Sequence, residues 1–322
     1  MLNTRFIVDS SLTTRRAGTE DPKKRSVAEA LYSGKRAKNN WIDVASEPDY
    51  PLNPDKTPAI FQHRRAAIQR TEFDVYVSLG PGDGLQDLSL LIPEPKVAQA
   101  QRRLRPPKTY IPIDISKELL QTTVRNLGTH LPIPFAVQCD FESNLEFATS
   151  TVAQATSGKK LYSILGGTIA NFDLEHGPFL RSLLRELQGE GEALAFVDFP
   201  LAGPAWSLQS EPRLQPSGYS PAFRRFILHA SAVANTEPNG RQIRESRFAS
   251  KFTFEHSSQP RSGAEIIRVI NDIGMVVLEF RRFRENVLID WLKHTGFTIE
   301  HFASSISSNR DLFGMAIALL KA

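Results

Sequence analysis

The stretch Val77-Ser78-Leu79-Gly80-Pro81-Gly82-Asp83-Gly84 leads from a short apolar segment directly into a turn with three glycines. We predict a strand over residues 74–79 and a helix over residues 85–91, on either side of this turn. Glycines let a ligand approach the backbone closely, and the first N–H groups of the following helix attract a carboxylate or a phosphate. The turn also suits a purely structural role, because its third glycine comes one position too early for the dinucleotide pattern G-x-G-x-x-G.

Strands and helices alternate along the chain after this turn. The predicted strands cover residues 110–113, 135–137, 161–165 and 193–197, and the predicted helices cover 117–127 and 178–188. Strands that alternate with helices at this spacing are typical of a parallel, doubly wound sheet. Because the strands are short and uncharged, we expect them to be buried on both faces. In such a sheet a ligand lies across the carboxyl ends of the strands.

The pattern changes after residue 200. The predicted elements there are a helix over 221–233, neighbouring antiparallel strands over 248–256, 265–270 and 275–283, a helix over 286–294 and strands over 297–302 and 313–320. We therefore predict a core of residues 66–200 and 284–322, with a substrate-binding insert of residues 201–283. Residues 1–65 are predicted to form an N-terminal arm and helical layer, in which the polar residues 1–25 are flexible and helices cover 26–41 and 58–70.

The composition is that of an ordinary globular protein. The chain has 322 residues, of which 41% are hydrophobic and 23% are charged, and a single cysteine, Cys139. One cysteine excludes an internal disulfide, and the seven histidines are scattered, so we expect no metal. No apolar run approaches the roughly 20 residues of a membrane span, and the start of the chain lacks a signal peptide. We therefore expect a soluble cytoplasmic protein.

Basic residues crowd the first forty positions and residues 102–108, although the net charge is only +4. Acidic residues nearly balance the total, and no aromatic residues interleave with the basic ones as stacking platforms for bases. We therefore expect a small-molecule partner rather than nucleic acid. The expected oligomeric state is a monomer or a homodimer.

Acidic residues follow the second and third predicted strands, at the edge where the glycine turn lies. Asp114 ends the second strand, where a carboxylate can accept hydrogen bonds from both hydroxyls of a ribose; with Ser116 it also suits a helix cap. Asp140 and Phe141 follow the third strand and suit an adenine, with the carboxylate accepting from the amine and the ring packing on the base. Together these strand ends predict an adenosine site.

The fourth predicted strand leads into Leu165-Gly166-Gly167-Thr168-Ile169-Ala170-Asn171-Phe172. This segment comes at the centre of the sheet, where the transferring group is expected. Asn171 has a donor and an acceptor atom, so it can hold an amino or a carboxylate group without taking up a proton.

These motifs resemble the histidine N-alpha-methyltransferase family of ergothioneine biosynthesis, whose relatives include fungal enzymes that N-methylate tryptophan derivatives. Four segments in the right order carry the resemblance: Val77–Gly82, Tyr110–Ser116, Cys139–Glu142 and Leu165–Asn171. The resemblance implies a class I methyltransferase that uses S-adenosylmethionine (SAM). It also implies a mostly parallel Rossmann-like sheet with an antiparallel last strand, an N-terminal helical layer and an inserted α+β domain that covers the acceptor.

The resemblance also assigns residues to the two ligands. For SAM it implies Tyr32, Gly80, Pro81, Gly82, Asp114, Ile115, Ser116, Asp140, Phe141, Gly166, Gly167 and Thr168. In this set the glycines of the first turn would line the methionine part, Asp114 the ribose, and Asp140 with Phe141 the adenine. For the acceptor it implies Tyr50, Asn171, Tyr219, Leu278, Phe280 and Arg282. Tyr50 and Asn171 are the expected catalytic pair, which would orient the acceptor amine.

One departure from the family pattern concerns the acceptor. The family's histidine-specific enzymes carry a glutamate and a serine just before a Lys-Phe-Arg, and these two residues grip the imidazole. Here Arg282-Phe283-Arg284 takes that place, with Leu278 and Phe280 at the gripping positions. An imidazole that faces two apolar side chains loses hydrogen bonds, at about 1–3 kcal/mol for each unpaired group. Histidine is therefore not the expected substrate, and a larger, more apolar acceptor fits better.

The sequence thus predicts SAM-dependent methyl transfer to the nitrogen of an amino acid or an amino-acid-derived molecule, in secondary metabolism. Three alternatives remain open. An oxygen or carbon acceptor would need a positioned base, for which His229 or His256 is a candidate. Asp198-Phe199-Pro200 faintly echoes the N/D-P-P-Y motif of nucleic-acid methyltransferases. A non-catalytic, SAM-binding regulator would also keep the cofactor motifs.

Overall fold

The computed structural model of the protein describes residues 4–12, 32, 34–47, 58–92, 106–176, 178–189, 191–207, 220–234, 253–270, 274, 276–306 and 313–322. The strands in these residues are β1 Arg5–Val8, β2 Val75–Leu79, β3 Thr109–Asp114, β4 Phe135–Gln138, β5 Lys160–Ile164, β6 Leu194–Ala202, β7 Thr253–Gln259, β8 Ala264–Ile270, β9 Val276–Phe283, β10 Thr298–Ile306 and β11 Phe313–Lys321. The main helices are α1 Lys35–Ala45, α2 Pro58–Arg70, α3 Leu85–Leu91, α4 Lys117–Leu127, α5 Leu145–Ala155, α6 Phe179–Gly189, α7 Pro221–Ala234 and α8 Glu285–His294. No helix within the described part of the chain is long and apolar enough to cross a bilayer.

The centre of the sheet is parallel, as the alternation of strands and helices predicts. Its strands lie in the order β1-β4-β3-β2-β5-β6. On the far side β11 runs antiparallel to β6, and β10 runs antiparallel to β11. The predicted α/β fold, a mostly parallel sheet with an antiparallel last strand, is confirmed. Because β2 to β6 run in the same direction, their carboxyl ends meet at one edge of the sheet.

The first predicted strand lies in the middle of this sheet and is covered on both faces. All five residues of β2 are buried. Val75, Val77 and Leu79 pack into one apolar core, whereas Tyr76 packs into a second. Successive side chains of a strand point to opposite faces, so a central parallel strand needs apolar residues at every position.

The strands of the predicted insert continue the same sheet. β7, β8 and β9 are antiparallel neighbours, as predicted, and β9 joins β6 in parallel where Leu201 pairs with Phe283. An apolar cluster links α1, α7 and this part of the sheet through Val44, Phe226 and Leu278. The N-terminal layer and the insert therefore pack against each other. The boundaries of the three segments stay a prediction.

The expectation of a flexible arm is wrong for residues 4–12. Arg5–Val8 form β1, which runs parallel to β4, with Arg5 opposite Phe135 and Val8 opposite Gln138. Three consecutive apolar residues inside a polar segment, Phe6-Ile7-Val8, are too few to show a period. The strand forms because β4 offers an edge with unpaired backbone groups.

Other differences concern the ends of elements. β6 runs on to Ala202 instead of ending at residue 197, because β11 and β9 pair with its second half. α1 extends to residue 45, past the predicted end at residue 41, and helix α5 was not predicted at all. β7 ends at residue 259 rather than 256, and the first residues of the strand predicted there lie outside the described part.

Candidate active site

A cavity of about 420 Å³ opens at the carboxyl ends of the parallel strands. Fifteen of the predicted site residues line it: Tyr32, Gly80, Pro81, Gly82, Asp114, Ile115, Asp140, Phe141, Gly166, Gly167, Thr168, Asn171, Leu278, Phe280 and Arg282. These residues are far apart in sequence and meet because neighbouring parallel strands end at the same edge. Ser116 is not among the lining residues; it caps α4, and its Oγ accepts from the Leu119 N–H at 3.2 Å. Tyr50 and Tyr219 lie outside the described residues.

The glycine turn after β2 has a backbone that other residues rarely adopt. Gly80 has a φ of 72° and Gly82 a φ of 62°. A Cβ added at Gly80 would lie 3.1 Å from Cγ2 of Thr168, and one added at Gly82 would lie 2.5 Å from the ring of Trp41. The turn is therefore enclosed by the loop after β5 on one side and by α1 on the other. Both conformation and space require glycine at Gly82.

Asp114 ends β3 inside the cavity and is only 5% exposed. Its Oδ1 accepts a hydrogen bond from the Ser116 N–H at 2.8 Å, so it also has the structural role that the sequence left open. Burial raises the pKa of Asp114 to about 7, although backbone N–H groups, including that of Gly82, bond to it and lower the pKa in part. Further donors, such as ribose hydroxyls, would stabilise the ionised carboxylate.

Asp140 and Phe141 line the cavity immediately after β4. Phe141 is held by two other aromatic rings. Its centroid lies 5.7 Å from that of Phe172, in an edge-to-face arrangement, and 6.1 Å from that of Phe179. These contacts fix the ring in one orientation beside the predicted adenine position.

The loop after β5 is held by a buried ion pair that the sequence did not indicate. The N–H groups of Gly166 and Gly167 donate to Asp198 at 3.2 and 3.5 Å, and the guanidinium of Arg64 on α2 pairs with the same carboxylate. Asp198 is fully buried, and Arg64 is 2% exposed. From the sequence, Asp198 was noted only for a weak similarity to a nucleic-acid methyltransferase motif. Since Arg64 is 134 residues away along the chain, no local signal joins the two.

The acceptor side of the cavity is an apolar wall, defined here as Leu278, Phe280, Phe223 and Phe226. Leu278 and Phe280 lie two residues apart on β9, so both point to the same face. Phe223 and Phe226 come from α7. Each of the four is less than 8% exposed. Asn171 and Arg282 also line the cavity and provide polar groups next to this wall.

The N-terminal layer forms the wall of the cavity that lies against the glycine turn. Trp41 on α1 lines it and packs against the apolar cluster, and the rings of Tyr32 and Phe226 lie 5.8 Å apart. Asp43 on α1 pairs with Arg225 on α7 at 3.0 Å. The sequence did not single out Trp41, because one aromatic residue on a helix has the same pattern whether it faces a core or a ligand.

The turn after β4 and strand β9 each contribute a charged side chain to the cavity. Glu142 and Arg281 both line the cavity. Burial raises the pKa of Glu142 to about 7, and the charge of Asp140 adds to this shift. Arg281 pairs with Glu279 and donates to the backbone carbonyl of Ala170 at 3.4 Å, next to the predicted acceptor residue. Among the described residues, no group of three or more His, Cys, Asp or Glu side chains could hold a metal ion.

These features fit a SAM molecule. The glycine turn leaves a cradle that a Cβ would fill, Asp114 is a buried carboxylate in need of donors, and Phe141 offers a fixed aromatic ring. The predicted methionine, ribose and adenine positions therefore follow one another along the edge of the sheet. The individual residue roles stay predictions.

Solved structures with similar folds include several methyltransferases. A SAM-dependent methyltransferase from Leishmania major is 11% identical, with a TM-score of 0.47 and coverage of 94% of this chain and 85% of the other. A Burkholderia thailandensis 1,6-didemethyltoxoflavin-N1-methyltransferase, solved with its substrate and S-adenosylhomocysteine (SAH), is 10% identical, with a TM-score of 0.40 and coverage of 89% and 88%. A protein from Listeria monocytogenes, described as a SAM-dependent methyltransferase, is 14% identical, with a TM-score of 0.39 and coverage of 82% and 99%.

A comparison with protein families gives a more specific result. Residues 15–308 match the family described as "Histidine-specific methyltransferase, SAM-dependent". No curated protein shows a significant match to the chain. The family match spans most of the sequence and confirms the resemblance at the level of the family. The protein therefore belongs to the histidine-specific family of SAM-dependent methyltransferases, and SAM is its cofactor.

Proposed function

We propose that this enzyme methylates the nitrogen of an amino acid or an amino-acid-derived small molecule other than histidine, in the synthesis of a secondary metabolite. The observation that carries the proposal is the apolar wall of Leu278, Phe280, Phe223 and Phe226. An acceptor that fills this side of the cavity has to present apolar or aromatic surface to it.

Hydrogen-bonding capacity argues against histidine. The family resemblance assigns Leu278 and Phe280 to the two positions that grip the imidazole in the histidine-specific enzymes, and neither side chain can donate or accept a hydrogen bond. Leaving imidazole nitrogens without partners costs about 1–3 kcal/mol for each group. That penalty corresponds to a loss of roughly tenfold or more in kcat/KM for histidine.

The residues around the cavity can do most of the work by positioning. When bound, SAM supplies an electrophilic methyl group on its sulfonium. Asn171, which lines the cavity, is proposed to hold the acceptor amine, and the apolar wall is proposed to exclude water from the reacting atoms. Tyr50 is proposed as its partner from the family resemblance alone. An amine that is neutral before attack needs no strong base.

Two of the alternatives meet structural difficulties. Among the described residues that line the cavity, neither His229 nor His256 occurs, and His256 instead contacts Glu265 at 2.9 Å. An oxygen or carbon acceptor would therefore need a different base. The Asp198 carboxylate, which the nucleic-acid alternative would use, pairs with Arg64 and the loop after β5. A non-catalytic regulator remains the alternative that activity measurements have to test.

The test combines calorimetry with mass spectrometry. SAH should bind the purified full chain, and incubation with SAM and a panel of amines should add methyl mass to an aromatic or apolar acceptor, with histidine as the comparison. Asn171→Ala should lower kcat/KM for that acceptor about a hundredfold, whereas Asn39→Ala, which changes an exposed position on α1, should not. Efficient methylation of histidine would contradict the proposed acceptor class. SAH binding without turnover of any amine would favour the regulator.

A further inference from the structure

The N-terminal strand reaches the turn that carries the predicted adenine residues. β1 pairs with β4 along its whole length, and the pairing continues past both strands, where the Asp9 N–H donates to the Gln138 carbonyl at 2.9 Å. Asp9 therefore lies beside Cys139, just before Asp140 and Phe141.

Asp9 is 2% exposed, and both oxygens of its carboxylate accept hydrogen bonds. Its Oδ1 accepts from the Ser11 N–H at 2.9 Å, and its Oδ2 accepts from Nδ2 of Asn144 at 2.9 Å. The Cys139 thiol lies 3.7 Å from the same Oδ2. Burial raises the pKa of Asp9, but these hydrogen bonds outweigh that effect and leave the pKa below its ordinary value. The ionised carboxylate is thus the form that the surroundings stabilise.

Asn144 closes the turn from its other end. The backbone N–H groups of Ser143 and Asn144 donate to the Asp140 carbonyl at 3.2 and 2.9 Å. The turn of residues 140–144 therefore folds back on Asp140, and the side chain of its last residue is tied to Asp9. Without Asp9, the Asn144 amide loses its charged acceptor, and the Cys139 thiol, 3.3 Å from the Asn144 carbonyl oxygen, is left as a weaker tie between this end of the turn and β4.

We propose that Asp9 is a positioning residue for the cofactor site. From the end of the N-terminal strand, its carboxylate holds the turn that carries Asp140 and Phe141 in the conformation that recognises adenine. This inference rests on the predicted adenine position and not on the identity of the methyl acceptor. It makes the segment of residues 4–12 a support of the SAM site, although none of these residues lines the cavity.

The effect should appear as a loss of base recognition. Asp9→Ala in the full chain is expected to bind SAH about tenfold more weakly than wild type, since a buried hydrogen bond to a charged group is lost. Thr4→Ala is the matched control: Thr4 lies just before the same strand and donates to the Ile133 carbonyl at 3.0 Å, away from the turn. Its SAH affinity should stay within about twofold of wild type.

Two further measurements separate positioning from mere stability. The first is the ratio of affinities for SAH and S-inosylhomocysteine, which lacks the adenine amine; unfolded protein lowers both affinities equally, so only a displaced turn changes the ratio. Asp9→Ala should reduce this ratio, and Thr4→Ala should not. The second is the exchange Asp9→Asn with Asn144→Asp, which restores a donor and an acceptor and should recover the ratio.

An unchanged ratio in Asp9→Ala, or no recovery in the exchanged variant, would overturn the positioning role. A wild-type protein that does not discriminate between the two ligands would overturn the adenine position itself. Neither result depends on which amine is methylated, so failure of this inference is distinguishable from failure of the proposed acceptor.

Discussion

Replacing Arg64 by methionine is expected to lower the free energy of unfolding by about 3–5 kcal/mol at neutral pH. The substitution removes the counter-charge of Asp198 while roughly keeping the volume of the side chain. Both members of the pair are buried, with side-chain exposures of 3% and 0%. What remains for the carboxylate is the pair of N–H groups from Gly166 and Gly167, at 3.2 and 3.5 Å. An uncompensated buried charge is among the most destabilising changes a single substitution can make.

The penalty should depend on pH in a definite direction. Burial raises the pKa of Asp198 above its ordinary value of 3.8, and the charge of Arg64 partly opposes that shift. Without Arg64 the folded-state pKa rises further. A carboxyl whose folded pKa lies above its unfolded pKa favours the folded state at low pH and loses that contribution as the pH rises through the folded pKa. The variant should therefore come closest to wild type as the pH falls toward 3.8.

Urea unfolding followed by circular dichroism measures this difference, with Arg225→Met as the matched control. Arg225 pairs with Asp43 at 3.0 Å, but both side chains are more than half exposed. Its loss should change stability by no more than about 1 kcal/mol. Equal effects of the two substitutions, or a penalty for Arg64→Met that does not shrink at low pH, would refute the reasoning.

Three further predictions concern the cavity. Gly82→Ala should destabilise the fold by more than the roughly 1–2 kcal/mol of a left-handed alanine, because its Cβ would lie 2.5 Å from the Trp41 ring, as urea unfolding would measure. SAH affinity, measured by calorimetry, should rise with pH through about 7, because the ribose hydroxyls bind the ionised form of Asp114. Leu278→Glu combined with Phe280→Ser should raise kcat/KM for histidine about tenfold, since both positions face the cavity and would again offer hydrogen bonds.

Each of these has its own comparison. The control for Gly82→Ala is Gly191→Ala, because Gly191 has a similar φ of 69° but open space around an added Cβ. An equal loss of stability in the two variants would show that a clash with Trp41 is not the cause. The pH dependence of SAH binding should disappear in Asp114→Asn but persist in Glu142→Gln; the reverse would assign it to Glu142, whose pKa is also about 7. Unchanged histidine turnover in a folded double variant would exclude β9 as the specificity element.

Much of the site could be predicted because its residues come directly after strands. Gly80, Asp114, Asp140 and Gly166 each follow a predicted strand, and parallel strands bring their carboxyl ends together. The position of each residue therefore followed from a local pattern and one general rule of topology. Of the apolar wall, Leu278 and Phe280 were predicted from the family resemblance, whereas Phe223 and Phe226 were found only in the structure.

Contacts between distant segments could not be predicted in this way. Arg64 and Asp198 are 134 residues apart, and Trp41 meets Gly82 only because α1 packs over the turn. β1 forms because it pairs with the free edge of β4, and the sequence of residues 5–8 contains no sign of that edge. Each of these contacts is formed by groups that are unremarkable in their own segments.

By itself the sequence determined most of the strands and helices from residue 58 onward, the glycine turn and the acidic residues at the strand ends, because periodicity and turn chemistry act over a few residues. Only the tertiary structure decided which side chains support them: the Arg64–Asp198 pair behind the loop after β5, Trp41 over the glycine turn, and Asp9 beside the turn after β4. Burial gives these contacts their strength, and burial is decided when segments distant in sequence pack against one another.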